Sequence, residues 1–339
     1  MKLTSVDKMK EIESHSGMTT SQLMDNAGLA VAKAAIKLFG NIQEKTVLIL
    51  AGPGNNGGDG MVAAGHLHDW GANVKLYLLK SSNLNSKFID SLEKKGIPIV
   101  TATNDSKKTY KGLDLYLESA DLIIDALIGT GNSREISGHL AEIMKRLGLT
   151  RAQKNRPSLL AVDMPTGINV NNGSIDRLCI AVDTTITFGI SKIGLHLLPG
   201  AEYSGNIEIA DIGIPSSLTN STDIDLMTKE WAANLLPERP NLSNKGSFGK
   251  TFIIAGSPSY TGAAYLATSG ATRVGAGLVT LACAKSIYPI LAGKLVEPTF
   301  VPLPDENGYL SADAAYTTKE ALADNYDSLL VGCGIGQDG

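Results

Sequence analysis

The chain of 339 residues is long enough for two domains of about 100–200 residues each, and its 43% hydrophobic and 19% charged residues suit globular domains with sizeable cores. A formal charge of −4 gives no electrostatic case for nucleic acid or an acidic membrane surface, and no apolar run approaches the ~18 residues of a membrane span. Three scattered cysteines (Cys179, Cys283, Cys333) form neither a disulfide framework nor a metal-ligand spacing. With five histidines and no His/Cys cluster they argue against zinc and fit the reducing cytoplasm.

In chain order, the first long helix is expected to start near Thr19. There a Thr19-x-x-Gln22 capping box precedes Leu23, Met24, Ala27, Val31, Ala34, Ala35 and Leu38 at near-helical spacing. Short apolar runs at 47–51, 74–79, 122–127, 159–162 and 184–188 are continuous rather than alternating, so they read as buried parallel strands. Helical stretches at 60–69, 86–95 and 137–147 separate them. The pattern predicts an α/β fold with a Rossmann-like, doubly wound, mostly parallel sheet.

After Pro215 the texture becomes polar, and the domain boundary is expected between Pro215 and Leu226, with residues 216–226 as a linker and 227–245 as an entry segment. A second α/β run follows: a strand at 251–255, a small-residue helix at 260–275, and strands at 278–283 and 328–331. The last turn, Gly332-Cys-Gly-Ile-Gly-Gln-Asp-Gly339, follows a strand with no helix after it, so residues 227–339 read as an incomplete second domain.

Ligands of open parallel sheets bind beyond the carboxyl ends of the strands. Three polar clusters are expected there: Asn55–Asp59 within the turn Gly52-Pro-Gly-Asn-Asn-Gly57, Asp125 with 129–134, and Asp163-Met-Pro-Thr-Gly167. Each alone could be turn chemistry, since Gly, Asn and Asp suit turns; three on one rim favour a site. Gly52, Gly54 and Gly57 meet the G-x-G-x-x-G dinucleotide fingerprint, and a helix opening there favours a phosphate. A dehydrogenase would add an acid about 20 positions later for the ribose. Here Leu78-Leu79-Lys80-Ser81-Ser82 offers none, which weakens the oxidoreductase alternative. Asn56, Asp125 and Thr166 present an amide oxygen, a carboxylate and a hydroxyl, an all-oxygen set for a hard cation, although Asp125 could equally cap its turn. Asp163, at a strand tip, is the candidate general acid/base. Asn244-Lys-Gly-Ser-Phe-Gly-Lys-Thr251 mimics a Walker A loop but opens with Asn and precedes a strand, so it is not a P-loop.

Together, Ala51-Gly-Pro-Gly-Asn-Asn-Gly-Gly-Asp-Gly60, Asp125-Ala-Leu-Ile-Gly-Thr-Gly131 and Val162-Asp-Met-Pro-Thr-Gly167, with Met9-Lys-x-Ile-Glu13 and Leu23-Met-Asp-Asn-Ala-Gly28, closely resemble the NAD(P)H-hydrate epimerase family over residues 1–215. Asn244-Lys-Gly-Ser-Phe-Gly249, Ala255-Gly-Ser-x-Ser-Tyr-Thr-Gly-Ala263 and Arg273-Val-Gly-Ala-Gly-Leu-Val-Thr280 are similar to the ribokinase-like, ADP-dependent NAD(P)H-hydrate dehydratases. The resemblance implies repair of NADH or NADPH hydrated on the nicotinamide ring: the first domain interconverts the R and S epimers, and the second, when complete, dehydrates the S form at the expense of ADP with magnesium. It implies that Asn55, Asn56, Gly57, Gly58, Asp59, Gly129, Thr130, Gly131, Asn132, Ser133, Arg134, Glu135 and Asp163 bind the hydrate, with potassium at Asn56, Asp125 and Thr166. Ala263 and Gly336 match hydrate-contacting positions of the second domain. Ala264 and Cys333 stand where the family has Pro. The family's nucleotide-binding glycines and catalytic Asp are expected beyond Gly339, so dehydratase activity is expected of a longer chain rather than of this one. A homo-oligomer with a small-molecule substrate is expected. The mechanistic expectation is that Asp163 exchanges a proton with the C6 hydroxyl, which inverts through water loss or ring opening.

Overall fold

The computed structural model describes residues 1–80, 86–131, 135–323 and 325–336. It divides into two units, Met1–Asn234 and Leu235–Gly339. In chain order the first unit contains β1 (Lys2–Thr4), α1 (Val6–His15), α2 (Thr20–Phe39), β2 (Thr46–Ala51), α3 (Asn55–Asp69), β3 (Asn73–Leu78), α4 (Ser86–Lys94), β4 (Ile99–Thr101), α5 (Ala102–Asp105) and α6 (Lys111–Ser119). These are followed by β5 (Leu122–Ala126), α7 (Gly138–Arg151), β6 (Ser158–Val162), β7 (Thr184–Phe188), β8 (Ser191–Lys192), α8 (Gly200–Tyr203), β9 (Asn206–Ala210), α9 (Ser216–Thr219), β10 (Ile224–Asp225) and α10 (Lys229–Leu235).

Seven strands form one parallel sheet in the order β4-β3-β2-β5-β6-β7-β9. Alternate residues of each central strand enter opposite layers. Ile49, Ala51, Ile124 and Val162 pack with Val31 of α2 and Ala63 of α3. Leu48, Leu50 and Ile123 pack with Leu113 of α6 and Ile143 and Leu147 of α7. Covering both faces explains the continuous apolar runs. The capping box at Thr19 is present, with Gln22 reaching back to the Thr19 N–H at 2.9 Å.

Two features depart from expectation. Helix α3 starts at Asn55 rather than at 60, so Asn55–Asp59 are its first turns and not loop residues. Residues 216–226, expected as a linker, belong with the first unit. There α9 forms, and β10 pairs antiparallel with β1, Leu3 opposite Ile224. β1 also runs parallel to β8, with Thr4 opposite Lys192, giving a three-stranded sheet β10-β1-β8.

The second unit holds β11 (Lys250–Ala255), α11 (Thr261–Val274), β12 (Leu278–Ala284), α12 (Tyr288–Ala292), β13 (Thr299–Leu303), β14 (Asp305–Glu306), β15 (Tyr309–Leu310), α13 (Asp313–Leu322) and β16 (Ser328–Cys333). Its parallel sheet has the order β13-β12-β11-β16. The turn before Lys250 runs into β11, so the Gly-Lys-Thr there enters a strand, as its sequence context required.

Candidate functional site

In the first unit β3 and β4 extend from one side of β2, while β5 lies on the other. The sheet therefore reverses its winding between β2 and β5, where open sheets leave a crevice beyond the strand ends. All three predicted clusters reach this place. Asp125 stands next to last in β5, opposite Leu50 and Ala161; Gly52 follows β2 directly; Asp163 follows β6. Glycine is what lets them approach. A Cβ on Gly52 would sit 1.8 Å from the Leu127 carbonyl oxygen, and one on Gly57 1.9 Å from the Gly52 oxygen.

Asp125 and Thr166 form the buried floor, 2% and 1% exposed. The carboxylate accepts from Thr166 Oγ1 at 2.7 Å, Thr166 N at 2.9 Å and Leu127 N at 3.2 Å. It has no ion pair among the described residues, and burial raises its pKa from the ordinary value against the opposing pull of these donors. The Asn56 amide nitrogen points toward β6 and donates to Val162 O at 2.9 Å, while its oxygen accepts from Gly129 N at 3.3 Å. A buried unpaired carboxylate beside a hydroxyl and an amide oxygen is a donor set that fits a hard monovalent cation. No group of three or more His, Cys, Asp or Glu that could hold a metal occurs among the described residues.

Asp163 is placed by a left-handed backbone (φ 63°), which Asp tolerates better than most side chains. Its Oδ1 accepts from Thr187 Oγ1 at 3.2 Å and Phe188 N at 3.3 Å, and pairs with the Lys192 ammonium; Oδ2 has no bond among the described residues. Lys192 is 1% exposed and also donates to Phe188 O at 3.0 Å. Sequence reasoning missed Lys192, because a lone lysine on a two-residue strand carries no motif.

Asp59 is the second carboxyl with an unusual setting. It is 8% exposed and has no side-chain hydrogen bond or ion pair among the described residues. Burial, then the negative charges of Asp163 and Glu13, push its pKa well above the usual carboxylate range, and Lys192 only partly offsets them. Glu13, on α1, is also raised, chiefly by burial. Neither Glu13 nor α1 was among the predicted site residues, although the Met9-Lys-x-Ile-Glu13 string had marked the segment.

The remaining predicted residues are placed unevenly. Gly129 abuts the Asn56 side chain, and Thr130 and Gly131 continue that turn. Asn132, Ser133 and Arg134 lie outside the described residues. Glu135 is exposed and pairs with Arg177 at 3.4 Å. Gly58 is buried in α3. Ala263 and Gly336 belong to the second unit. There Ala263 on α11 faces Gly334, and Gly336 (φ 92°) leaves no room for a Cβ beside the Tyr309 ring.

A Rossmann-like unit with polar residues gathered at its switch point defines a nucleotide- or small-molecule-binding α/β protein. The family model described as YjeF-related protein N-terminus matches residues 20–194, half of the chain, and the chain belongs to that family. A second model, described as NAD(P)H-hydrate dehydratase, matches residues 251–339. The chain is 36% identical over 324 residues to the bifunctional NAD(P)H-hydrate repair enzyme Nnr of Moorella thermoacetica, covering 93% of this chain and 60% of that one. It is 31% identical to the enzyme of the same name from Thermofilum pendens, covering 99% of this chain and 63% of the other. It thus spans about three fifths of the length of these relatives. Among solved structures it is similar to yeast ynu0, with 26% identity, a TM-score of 0.56, and coverage of 68% of this chain and 97% of the other.

Proposed function

We propose that the first unit epimerises hydrated NADH and NADPH, interconverting the R and S configurations at C6 of the hydrated nicotinamide ring, and that the second unit belongs to the ADP-dependent dehydration of the S form. The observation that carries the reading is the meeting of Asn56, Asp125 and Thr166 with Asp163 at the switch point of the sheet. Such an arrangement offers cation ligands and a charged carboxylate where a hydride-transfer enzyme needs mainly a glycine turn and a ribose acid. The names of the Moorella and Thermofilum relatives support the same substrate.

In this reading the opening of α3 takes a phosphate. Its N-cap is Gly54, with no side chain to bond the first-turn N–H groups. The segments 55–59 and 129–135 hold the rest of the dinucleotide. The Lys192 ammonium pairs with Asp163 Oδ1, and the Asp163 carboxyl takes part in the proton exchange at the hydrated carbon. Asn56, Asp125 and Thr166 would hold potassium, which would supply the counter-charge that the buried Asp125 lacks. Ala263 and Gly336 would contact the hydrate in the second unit, with ADP and magnesium serving dehydration in the longer relatives. A reducing compartment such as the cytoplasm suits the three cysteines, none of which is in a disulfide, and the working form would be a homo-oligomer.

The test is the ratio of R to S NADH hydrate followed by chromatography, with and without ADP. Accelerated equilibration supports the reading. Its absence, together with hydride transfer from intact NADH, would favour the oxidoreductase alternative. The cation is tested separately: potassium is expected to raise the thermal midpoint more than sodium does, and Asp125→Ala should abolish the difference.

A further inference from the structure

Beside α3 lies a cavity of about 360 Å³ whose walls are divided. Glu13, Asn55 and Asp59 form part of its polar side, and Met24, Phe188 and Ile212 part of its apolar side. Its volume sits at the low end of ligand pockets, about 300–1,000 Å³, enough for a substituted ring but not for a whole dinucleotide. A ring with apolar edges and a hydroxyl and carboxamide is what such walls accommodate. Asp59 is the polar group on this wall that is more than nine-tenths buried and left without a hydrogen-bond partner among the described residues.

We propose that this cavity takes the hydrated nicotinamide ring and that Asp59, rather than Asp163, delivers the proton to the departing C6 hydroxyl. The inference rests on the epimerase reading. Three carboxyl groups, Glu13 from α1, Asp59 from α3 and Asp163 after β6, share the single buried ammonium of Lys192 on β8; Lys10 of α1 stands at the cavity wall. Lys192 contacts Asp163 directly, so the charge imbalance falls on the other two acids, and the one deepest in the protein is where a proton is cheapest to keep. Two carboxyls with opposite environments divide acid and base roles. Asp59 protonates the hydroxyl; the C6–O bond breaks with its electron pair going to oxygen, and water leaves. The ring-nitrogen lone pair closes a double bond to C6. Water then adds to the other face, forming the new C–O bond. Its released proton goes to the Asp163 carboxylate and returns through cavity water to Asp59. No oxidant or reductant is required.

Asp59→Asn is expected to slow epimerisation about 10²–10⁴-fold, the usual range for removing a general acid, while thermal-shift titration still shows hydrate binding. The unsubstituted rate should fall as pH rises through the elevated titration of Asp59. Glu13→Gln removes a negative neighbour and should move that limb to lower pH, a displacement that loss of structure would not produce. A full rate in Asp59→Asn, or an unmoved limb in Glu13→Gln, overturns the proposal. The proton itself is visible without any reaction: infrared spectra recorded above the ordinary Asp titration range should contain a protonated-carboxyl band that Asp59→Asn lacks. If the unsubstituted chain fails to epimerise, the functional reading falls together with the catalytic assignment. A chain that epimerises without showing the band leaves the functional reading standing and overturns the role of Asp59.

Discussion

At the residue scale the decisive contact is the Lys192–Asp163 pair, because each charge is buried and each depends on the other. Lys192→Met leaves the Asp163 carboxylate without its counter-charge. It should lower the unfolding free energy by about 3–5 kcal/mol in urea titrations, the usual cost of orphaning one partner of a buried pair. The double variant with Asp163→Asn should recover part of that loss. Asp59 makes the opposite prediction. Its folded pKa lies above its unfolded value, so the native state binds the proton more tightly and stability is lost as pH rises from the ordinary Asp range through the raised value. Asp59→Asn should therefore raise the thermal midpoint, and by more at pH 8 than at pH 5. The two carboxyls differ in how readable they were. Asp163 and Asp59 stand in motifs that the sequence displays, whereas their electrostatic neighbours Glu13 and Lys192 come from distant elements. Only the packing of α1 and β8 brings those charges in.

At the element scale the site depends on how closely the segment after β2 approaches the segment after β5. Gly52→Ala would drive a methyl group to 1.8 Å from the Leu127 carbonyl oxygen, a backbone atom that cannot rotate away. The variant is expected to lose about 1–3 kcal/mol or more and to fail the potassium-dependent rise in thermal midpoint, because the displaced backbone leads straight to Asp125. The elements themselves were largely legible. β2, β5 and β6 are buried on both faces and have no polar alternation to disguise them. β9 was not, because Asn206-Ile-Glu-Ile-Ala210 alternates at a half-exposed sheet edge where polar residues are tolerated. The start of α3 was placed late because Gly57, Gly58 and Gly60 read as turn residues. In the structure the glycines at 57 and 60 allow close packing: a Cβ on Gly60 would meet Ala126 at 2.6 Å.

At the scale of the whole molecule the two units have separate cores, three clusters in the first and two in the second among the described residues. A fragment of residues 1–234 should therefore unfold cooperatively by itself and keep the R-to-S equilibration of the intact chain. A broad, non-cooperative melt would count against two independent cores. Composition pointed to two domains but put the boundary too early, since the polar stretch 216–226 hides a strand only two residues long. That strand gives β1 a meaning in the order of synthesis. Lys192 lies on β8, whose neighbour β1 leaves the ribosome before the central sheet does, while β10, the other neighbour of β1, emerges more than two hundred residues after it. Contacts so distant in sequence close late in folding. A nascent chain can build the central sheet and its glycine turn well before the clasp around Lys192 is complete, so the chemistry of the crevice would switch on as one of the last steps in making the unit.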